Sequence, residues 1–312
     1  MNKPKLIPAS LRPGDTVGIV APAGVLPDRA LIEPGIRFLS EKGLRVQLPT
    51  DLWPGCDFLA DTDEKRLAEF HQAFADPEVK ALIALRGGYG CLRLLEHLDL
   101  ECIKKHPKWF IGFSDISLLQ NYLYSRTNLL CLHGPTFTSL ANIDTESRER
   151  LYRSLCGAWD QAIDTSNVRI VQAESQTVRG ILVGGNLASL VSLLGTQFDL
   201  CWKKKIVFLE DVHEPRYKLD KMLTQLAVAG KLRNVSGVLL GCFSPPAPDA
   251  ADEKRQQAYT GFVCQRLVEL LGDRSIPIWA NMPCGHCRQN YVLPIGSNTT
   301  MDGPNKRLLF SG

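Results

Sequence analysis

Four times in its first half this chain repeats one device. A short, nearly continuous apolar run gives way to a turn, and the turn to a stretch with helical spacing. The runs are TVGIVAPAG (Thr16–Gly24), LRVQLPT (Leu44–Thr50), VKALIAL (Val79–Leu85) and WFIGF (Trp109–Phe113). Strand-like runs alternating with helices predict a mainly parallel, doubly wound sheet. Between them, a helix is expected from about Leu31 to Lys42, with Pro34 tolerated in its first turn and Gly43 as its stop. Asp61 or Thr62 caps a second, in which Leu67, Phe70 and Phe74 recur at helical spacing before Asp76-Pro77. CLRLLEHL and ISLLQNYLYSR supply two more, the latter with Ile116, Leu119 and Leu123 on one face.

At 312 residues the chain is long for one core, so two domains are expected. The alternation weakens between about Asn142 and Thr177, where a charged helix (Glu146 to Leu155) leads into polar sequence and the β-like VRIV. This divides the chain into an N-terminal α/β domain, 1–160, and a smaller β-rich α+β C-terminal domain, 161–312. The second half holds GILVGGNLASLVSLLG, the strand KIVFLE, and an amphipathic helix with Leu219, Met222, Leu223 and Leu226 on one face. VSGVLLGCF, a Pro-rich surface loop SPPAPD, a helix through FVCQRLVELLG and short strands follow.

Charge excludes little but points away from nucleic acid: 36 basic residues face 33 acidic ones, a net of +3. No window approaches the 18 or so uninterrupted apolar residues of a membrane span. The first residues, MNKPKLIPASLRPGD, lack the apolar core of a signal peptide. The ten cysteines are scattered, several of them (Cys91, Cys131, Cys242, Cys264) in apolar surroundings, and read as reduced thiols. A cytoplasmic protein is expected.

Ligands of open α/β sheets meet the chain just past the C-terminal ends of strands. Ser114, in WFIGFSDIS, stands at a strand–helix turn with the geometry of a nucleophile elbow, and the following N–H, that of Asp115, points where an oxyanion would form. Ile116 stands where the elbow pattern has its second glycine, and Ser-Asp at such a junction is also an ordinary N-cap, the simpler reading of this stretch alone. In IALRGGYG, Gly87, Gly88 and Gly90 make either a tight turn or a cradle of N–H groups for an anion, and Arg86 could meet a substrate carboxylate. Glu210 ends the strand KIVFLE and Asp211 follows it, where acidic residues could equally cap the helix near Tyr217; His213 reads as a solvated loop histidine.

The stretch PCGHCRQN offers Cys284 and Cys287 at C-x-x-C spacing around His286. A structural zinc site needs about four ligands, and the chain has no second C-x-x-C. A thioredoxin-type pair opens a helix, whereas this one precedes the strand-like NYVLPIG. A histidine held in a loop fits better. Ser114, Glu210 and His286 are together the residue types of nucleophilic acyl transfer, in which an imidazole takes the serine proton and a carboxylate fixes the imidazole. Spacing alone leaves open whether the three meet.

LRPGDTVGIVAPAG, RGGYG, IGFSD, HGP (His133 to Pro135), GGNLASL, LED…EPRYKLDKML and GHCRQNYVLPIG follow one another in an order that resembles the LD-carboxypeptidases, the muramoyltetrapeptide carboxypeptidases of the serine peptidase class, over roughly residues 11 to 296. The resemblance implies Ser114 as nucleophile, Glu210 as acid and His286 as base. It implies backbone N–H groups of Gly88 and Asp115 as the oxyanion hole; beside them Arg86, Gly87 and Tyr89 are candidates for substrate binding. It further implies a homodimer without metal or cofactor that releases terminal D-Ala from murein tetrapeptides during wall recycling. A related branch hydrolyses antibiotic peptide–nucleotides and confers self-immunity; no long extra insertion favours it here. Two other classes compete: a non-catalytic peptide or nucleotide-binding module using RGGYG, and a zinc protein using Cys284, His286 and Cys287.

Overall fold

The computed structural model describes residues 4–246 and 253–312. It divides into two compact units, Met1–Trp159 with Arg288–Gly296, and Asp160–Cys287 with Ser297–Gly312.

In the first unit, β1 (Thr16–Val20), β2 (Arg45–Gln47), β3 (Val79–Ala84), β4 (Trp109–Gly112) and β5 (Cys131–His133) stand in the order β5-β4-β3-β1-β2. Every neighbouring pair is parallel. A strand from late in the chain, Leu293–Ile295, closes the β5 edge antiparallel, with Leu293 opposite His133. Because successive side chains alternate between faces, the apolar runs serve two cores at once. On one face Val17, Ile19, Ile83, Trp109 and Ile111 pack with Phe38 and Leu39 of α1 (Glu33–Glu41). On the other, Phe110 meets Phe70 of α2 (Asp63–Ala75) edge to face at 5.2 Å, and Phe70 meets Phe74 at a tilt, 5.0 Å between centroids. Both α2 rings are fully buried, so truncating either to Ala would cost about 3–5 kcal/mol.

Local signals act as the sequence suggests, with one difference. Pro34 lies in the first turn of α1, Gly43 follows its end at φ +76°, and Thr62 caps α2 by accepting from the Lys65 N–H. Cys91–His97, however, winds as a 3-10 helix. No side chain caps it at Gly90, and the tighter three-residue repeat stacks buried Cys91 over buried Leu94. The helices α3 (Leu100–Lys105), α4 (Ile116–Thr127) and α5 (Thr145–Arg153) complete the unit.

The second unit is built on an eight-stranded sheet: β6 (Ile163–Asp164), β7 (Arg169–Gln172), β8 (Thr177–Asn186), β9 (Lys205–Asp211), β10 (Gly237–Phe243) and β11 (Ile278–Ala280). Two more strands follow β12, the Leu293–Ile295 strand of the first sheet: β13 (Asn298–Asp302) and β14 (Arg307–Ser311). Its order is β6-β14-β13-β8-β9-β10-β11-β7. The central β8 to β11 are parallel and the flanking strands antiparallel. β9 and β10 are buried almost throughout. Of the apolar stripe on α7 (Arg216–Val228), Leu219, Leu223 and Leu226 are buried, with Met222 half-buried beside them. α6 (Leu187–Val191) follows β8, and α8 (Glu253–Leu271) follows the SPPAPD stretch, which falls in part outside the described residues. Among the described residues no helix is long and apolar enough to cross a membrane.

Candidate active site

The strand order of the first sheet reverses between β1 and β3, the position at which open α/β sheets hold ligands past their strand ends. Three connections leave there: Ala21 to Gly24 after β1, Arg86 to Gly90 after β3, and Phe113 to Asp115 after β4. The Gly24 N–H donates to Gly87 O at 3.1 Å, joining the first to the second. Glu69 of α2 holds the first from behind, accepting from the Ala21 N–H at 2.6 Å and from Trp53 Nε1 at 2.9 Å. Burial pushes the Glu69 carboxyl up to about 7.

Ser114 follows β4 at φ +65°, a left-handed conformation that costs a non-glycine residue about 1–2 kcal/mol. The capping alternative does not describe these side chains. α4 starts with Asp115 at its N-cap and no side-chain cap bond; the Asp115 carboxylate instead accepts from the Cys91 N–H at 2.8 Å. Burial holds that carboxyl above its ordinary range, against the Cys91 hydrogen bond and the charge of Arg66. Gly87 sits so close that a Cβ there would lie 2.6 Å from Ser114 Cβ and 2.9 Å from its Oγ. Gly88 beside it is exposed, at φ +111°. Tyr89 is exposed and meets Phe58 edge to face at 5.6 Å, and Arg86 Nη1 donates to Val25 O at 2.9 Å. The structure thus gathers Arg86, Gly87, Gly88, Tyr89, Ser114 and Asp115 at one edge of the first unit.

In the second unit, Glu210 is fully buried at the end of β9, and its Oε2 lies 2.5 Å from His286 Nδ1. The loop carrying His286 is fastened to β10: the Met282 N–H donates to Leu240 O at 2.9 Å, and the Cys242 N–H to Cys284 O at 3.2 Å. Gly285 makes the approach possible. At φ +97°, a Cβ there would lie 2.8 Å from both Glu210 Cγ and Oε2, so only glycine lets the loop close on the carboxylate. Burial by itself pushes the imidazole down, but the Glu210 charge and hydrogen bond, helped by Asp211, carry it above its ordinary value. Cys287 is hydrogen-bonded to Cys242, which with burial pushes its thiol far up. Among the described residues no group of three or more His, Cys, Asp or Glu is arranged to hold a metal ion.

Asp211, next to Glu210, does not cap α7 either, whose N-cap is Pro215 with no side-chain bond. Its carboxylate clasps the end of β8 and the start of α6, accepting from Asn186 Nδ2 and the Ala188 N–H at 3.0 Å each and from the Val212 N–H at 2.8 Å. Burial, then the Glu210 charge, pushes this carboxyl up to about 7. His213 is an exposed loop residue.

Two family descriptions match in tandem: the LD-carboxypeptidase N-terminal domain over residues 17–134 and the LD-carboxypeptidase C-terminal domain over 179–301. The chain belongs to the LD-carboxypeptidase family. Among LD-carboxypeptidase relatives, the probable murein peptide carboxypeptidase of Bacillus subtilis is 34% identical over 301 residues, covering 96% of this chain and 92% of that one. The murein tetrapeptide carboxypeptidase of Pseudomonas aeruginosa is 33% identical over 307 residues, 93% and 94% of the two chains. The microcin C7 self-immunity protein MccF of Escherichia coli is 26% identical over 97% of this chain and 95% of its own. Among solved structures, the muramoyltetrapeptide carboxypeptidase from Oxalobacter formigenes superposes with a TM-score of 0.79 at 27% identity, covering 95% of this chain and 97% of that one.

The glycine turn and Ser114 fall within the N-terminal LD-carboxypeptidase match, Glu210 and His286 within the C-terminal one. Two supports around Glu210 and His286 in the second unit are not foreseen from sequence. The Asp211–Asn186 clasp joins residues of two motifs, LED and GGN, that stand 25 positions apart. The fit of Gly285 against Glu210 is signalled only by a glycine standing just before the histidine.

Proposed function

We propose that this protein is a serine L,D-carboxypeptidase that releases terminal D-Ala from murein tetrapeptides. The observation that carries the proposal is the buried Glu210 carboxylate hydrogen-bonded to His286 Nδ1, the arrangement that prepares an imidazole to act as a general base. Ser114 is the nucleophile, supported by its left-handed elbow against the glycine turn. Its Oγ attacks the carbonyl carbon that precedes D-Ala, while His286 takes the hydroxyl proton and Glu210 stabilises the imidazolium. The N–H groups of Gly88 and Asp115 receive the oxyanion; a single such donor contributes roughly 100- to 1,000-fold in rate. Collapse breaks the C–N bond, with His286 returning the proton to the D-Ala amine. Water then attacks the acyl-enzyme by the same route and regenerates Ser114. Arg86, Gly87 and Tyr89 bind the substrate, Arg86 at its carboxylate.

The reaction as proposed needs no metal or cofactor. We assign the enzyme to the cytoplasm, which ten free cysteines favour, and to a homodimer, which rests on the family resemblance and is tested by sedimentation equilibrium. The deciding experiment incubates synthetic murein tetrapeptide with the protein, with and without EDTA, and with Ser114→Ala as control. D-Ala release that resists EDTA and vanishes in Ser114→Ala is expected; release by Ser114→Ala at the wild-type rate sinks the proposal. A second reading, hydrolysis of a peptide–nucleotide antibiotic, is favoured by the kinship with MccF along nearly the whole chain. Faster turnover of an aminoacyl sulfamoyl nucleoside than of tetrapeptide would select it.

A further inference from the structure

Arg66, on α2, has 1% of its surface exposed. Its guanidinium donates to Pro22 O in the connection after β1, to Gly90 O at the end of the glycine turn (3.3 Å) and to Asp61 O (3.2 Å), and it pairs with the Asp63 carboxylate. A Cβ on Gly90 would lie 2.8 Å from Arg66 Nη1, so the turn closes directly onto the guanidinium. The next residue, Cys91, donates its N–H to Asp115 Oδ2. A continuous set of hydrogen bonds therefore runs from Arg66 through Gly90 and Cys91 to the residue after Ser114.

Burying a guanidinium carries a desolvation penalty of several kcal/mol, and well-packed hydrocarbon often serves stability as well or better. Stability alone gives no reason for a charge at this place. What a planar fork does that hydrocarbon cannot is bind carbonyls of two separate loops in a fixed mutual geometry. Pro22 and Gly90 belong to two such loops, and the Gly24 N–H to Gly87 O bond ties the same pair a second time.

We infer that Arg66 is a positioning residue for acyl transfer, fixing the Arg86 to Gly90 turn, and with it the Gly88 N–H, relative to Ser114. The inference rests on the reading of Ser114 as nucleophile and Gly88 as oxyanion donor. Such donors act only when held within about 0.5 Å of the productive geometry, so a loosened turn lowers the chemical step more than substrate binding.

The test measures kcat, KM and Tm on synthetic tetrapeptide for the wild type, Arg66→Met, Arg66→Lys, Ser114→Ala and Arg93→Met. Arg93 is the partly exposed second partner of Asp63 and serves as the control. Arg66→Met is expected to lose kcat roughly 100-fold, with KM changed less than about threefold. Arg66→Lys, which keeps the charge but not the fork, should recover part of that loss, and Arg93→Met should match the wild type. Wild-type kcat in a folded Arg66→Met or Arg66→Lys overturns the inference, as does a loss carried mainly by KM. If Arg66→Met does not fold, Arg66→Lys decides by the same kcat criterion. If neither folds, Arg66 is a core strut and the inference falls. Turnover persisting in Ser114→Ala would instead remove the nucleophile on which the inference stands, and that result is separate from any effect at Arg66.

Discussion

Glu210 Oε2 engages His286 twice, meeting the ring at Nδ1 (2.5 Å) and accepting from the backbone N–H of the same residue (3.3 Å). A ring that donates through Nδ1 carries its basic lone pair on Nε2. One carboxylate oxygen thus sets both the tautomer and the position of the imidazole. As the proposed general base His286 must be neutral, so kcat/KM is expected to rise with pH through the His286 pKa. Because that pKa is raised, the acidic limb of the wild-type profile should lie above the ordinary histidine value of about 6.5. In Glu210→Gln the charge is gone while burial remains, so the limb should move to lower pH as maximal kcat falls roughly 10⁴-fold. A limb that stays in place would show that Glu210 does not govern the imidazole.

Ser114→Ala should lower kcat by roughly a million-fold while Tm stays close to the wild type, since Ala bears the same left-handed strain. Ser114→Gly separates the two effects. It should be equally inactive yet more stable by about 0.5–1 kcal/mol, the relief of strain less the extra freedom of the unfolded chain. Urea unfolding of the three proteins measures this, and a Ser114→Gly variant less stable than Ser114→Ala would contradict a strained elbow.

Gly285→Ala places a methyl group against the Glu210 carboxylate. The loop must then back away, and a displaced base should cost roughly 100-fold in kcat. Cys287→Ala, one residue beyond His286, removes only a thiol bonded to Cys242 and should keep activity within about threefold. Steady-state assays of both variants beside His286→Ala make the comparison; equal losses in all three would mean that the thiols matter as much as the imidazole.

Asp211 and Glu69 are carboxyls raised to about 7 by burial, which fixes the sign of a pH effect on stability. A folded-state pKa above the unfolded value means that the native state holds the proton more tightly. The stability each proton contributes is complete below about pH 4, declines as pH rises toward 7, and is absent above. Asp211→Asn should therefore flatten the fall in unfolding free energy between about pH 4 and 7 relative to the wild type. Urea titrations at pH 4.5 and 7.5 compare the two; parallel slopes would exclude a raised Asp211.

Much of the first sheet is legible in the sequence because its strands are continuous apolar runs, and a strand covered on both faces needs no finer pattern. Ser114 lies at the other extreme. Nothing in its residue type announces a left-handed backbone, and the N-cap reading satisfies the same local signals; only the Cys91 N–H bond to the Asp115 carboxylate tells the two apart. Cys91–His97 has helical spacing, but spacing over so short a segment does not separate α from 3-10 winding. The partners of Gly285 and Asp211 are chosen by tertiary approach, Glu210 for one and Asn186 for the other. Local pattern carries no record of such distant pairs. Arg66 looks in sequence like one more charge in a capped helix, and only its burial separates it from Lys65 beside it.

The pairing of Leu293–Ile295 with Cys131–His133 also sets an order of events during synthesis. The β5 edge emerges from the ribosome long before the strand that covers it is translated. At roughly 5–20 residues per second that interval is on the order of ten seconds. Throughout it the nascent sheet presents an open row of backbone donors and acceptors next to an apolar core, the kind of edge that recruits foreign strands. A strand translated about 160 residues after the edge it covers, on the scale set by that elongation rate, is thus what seals the first sheet.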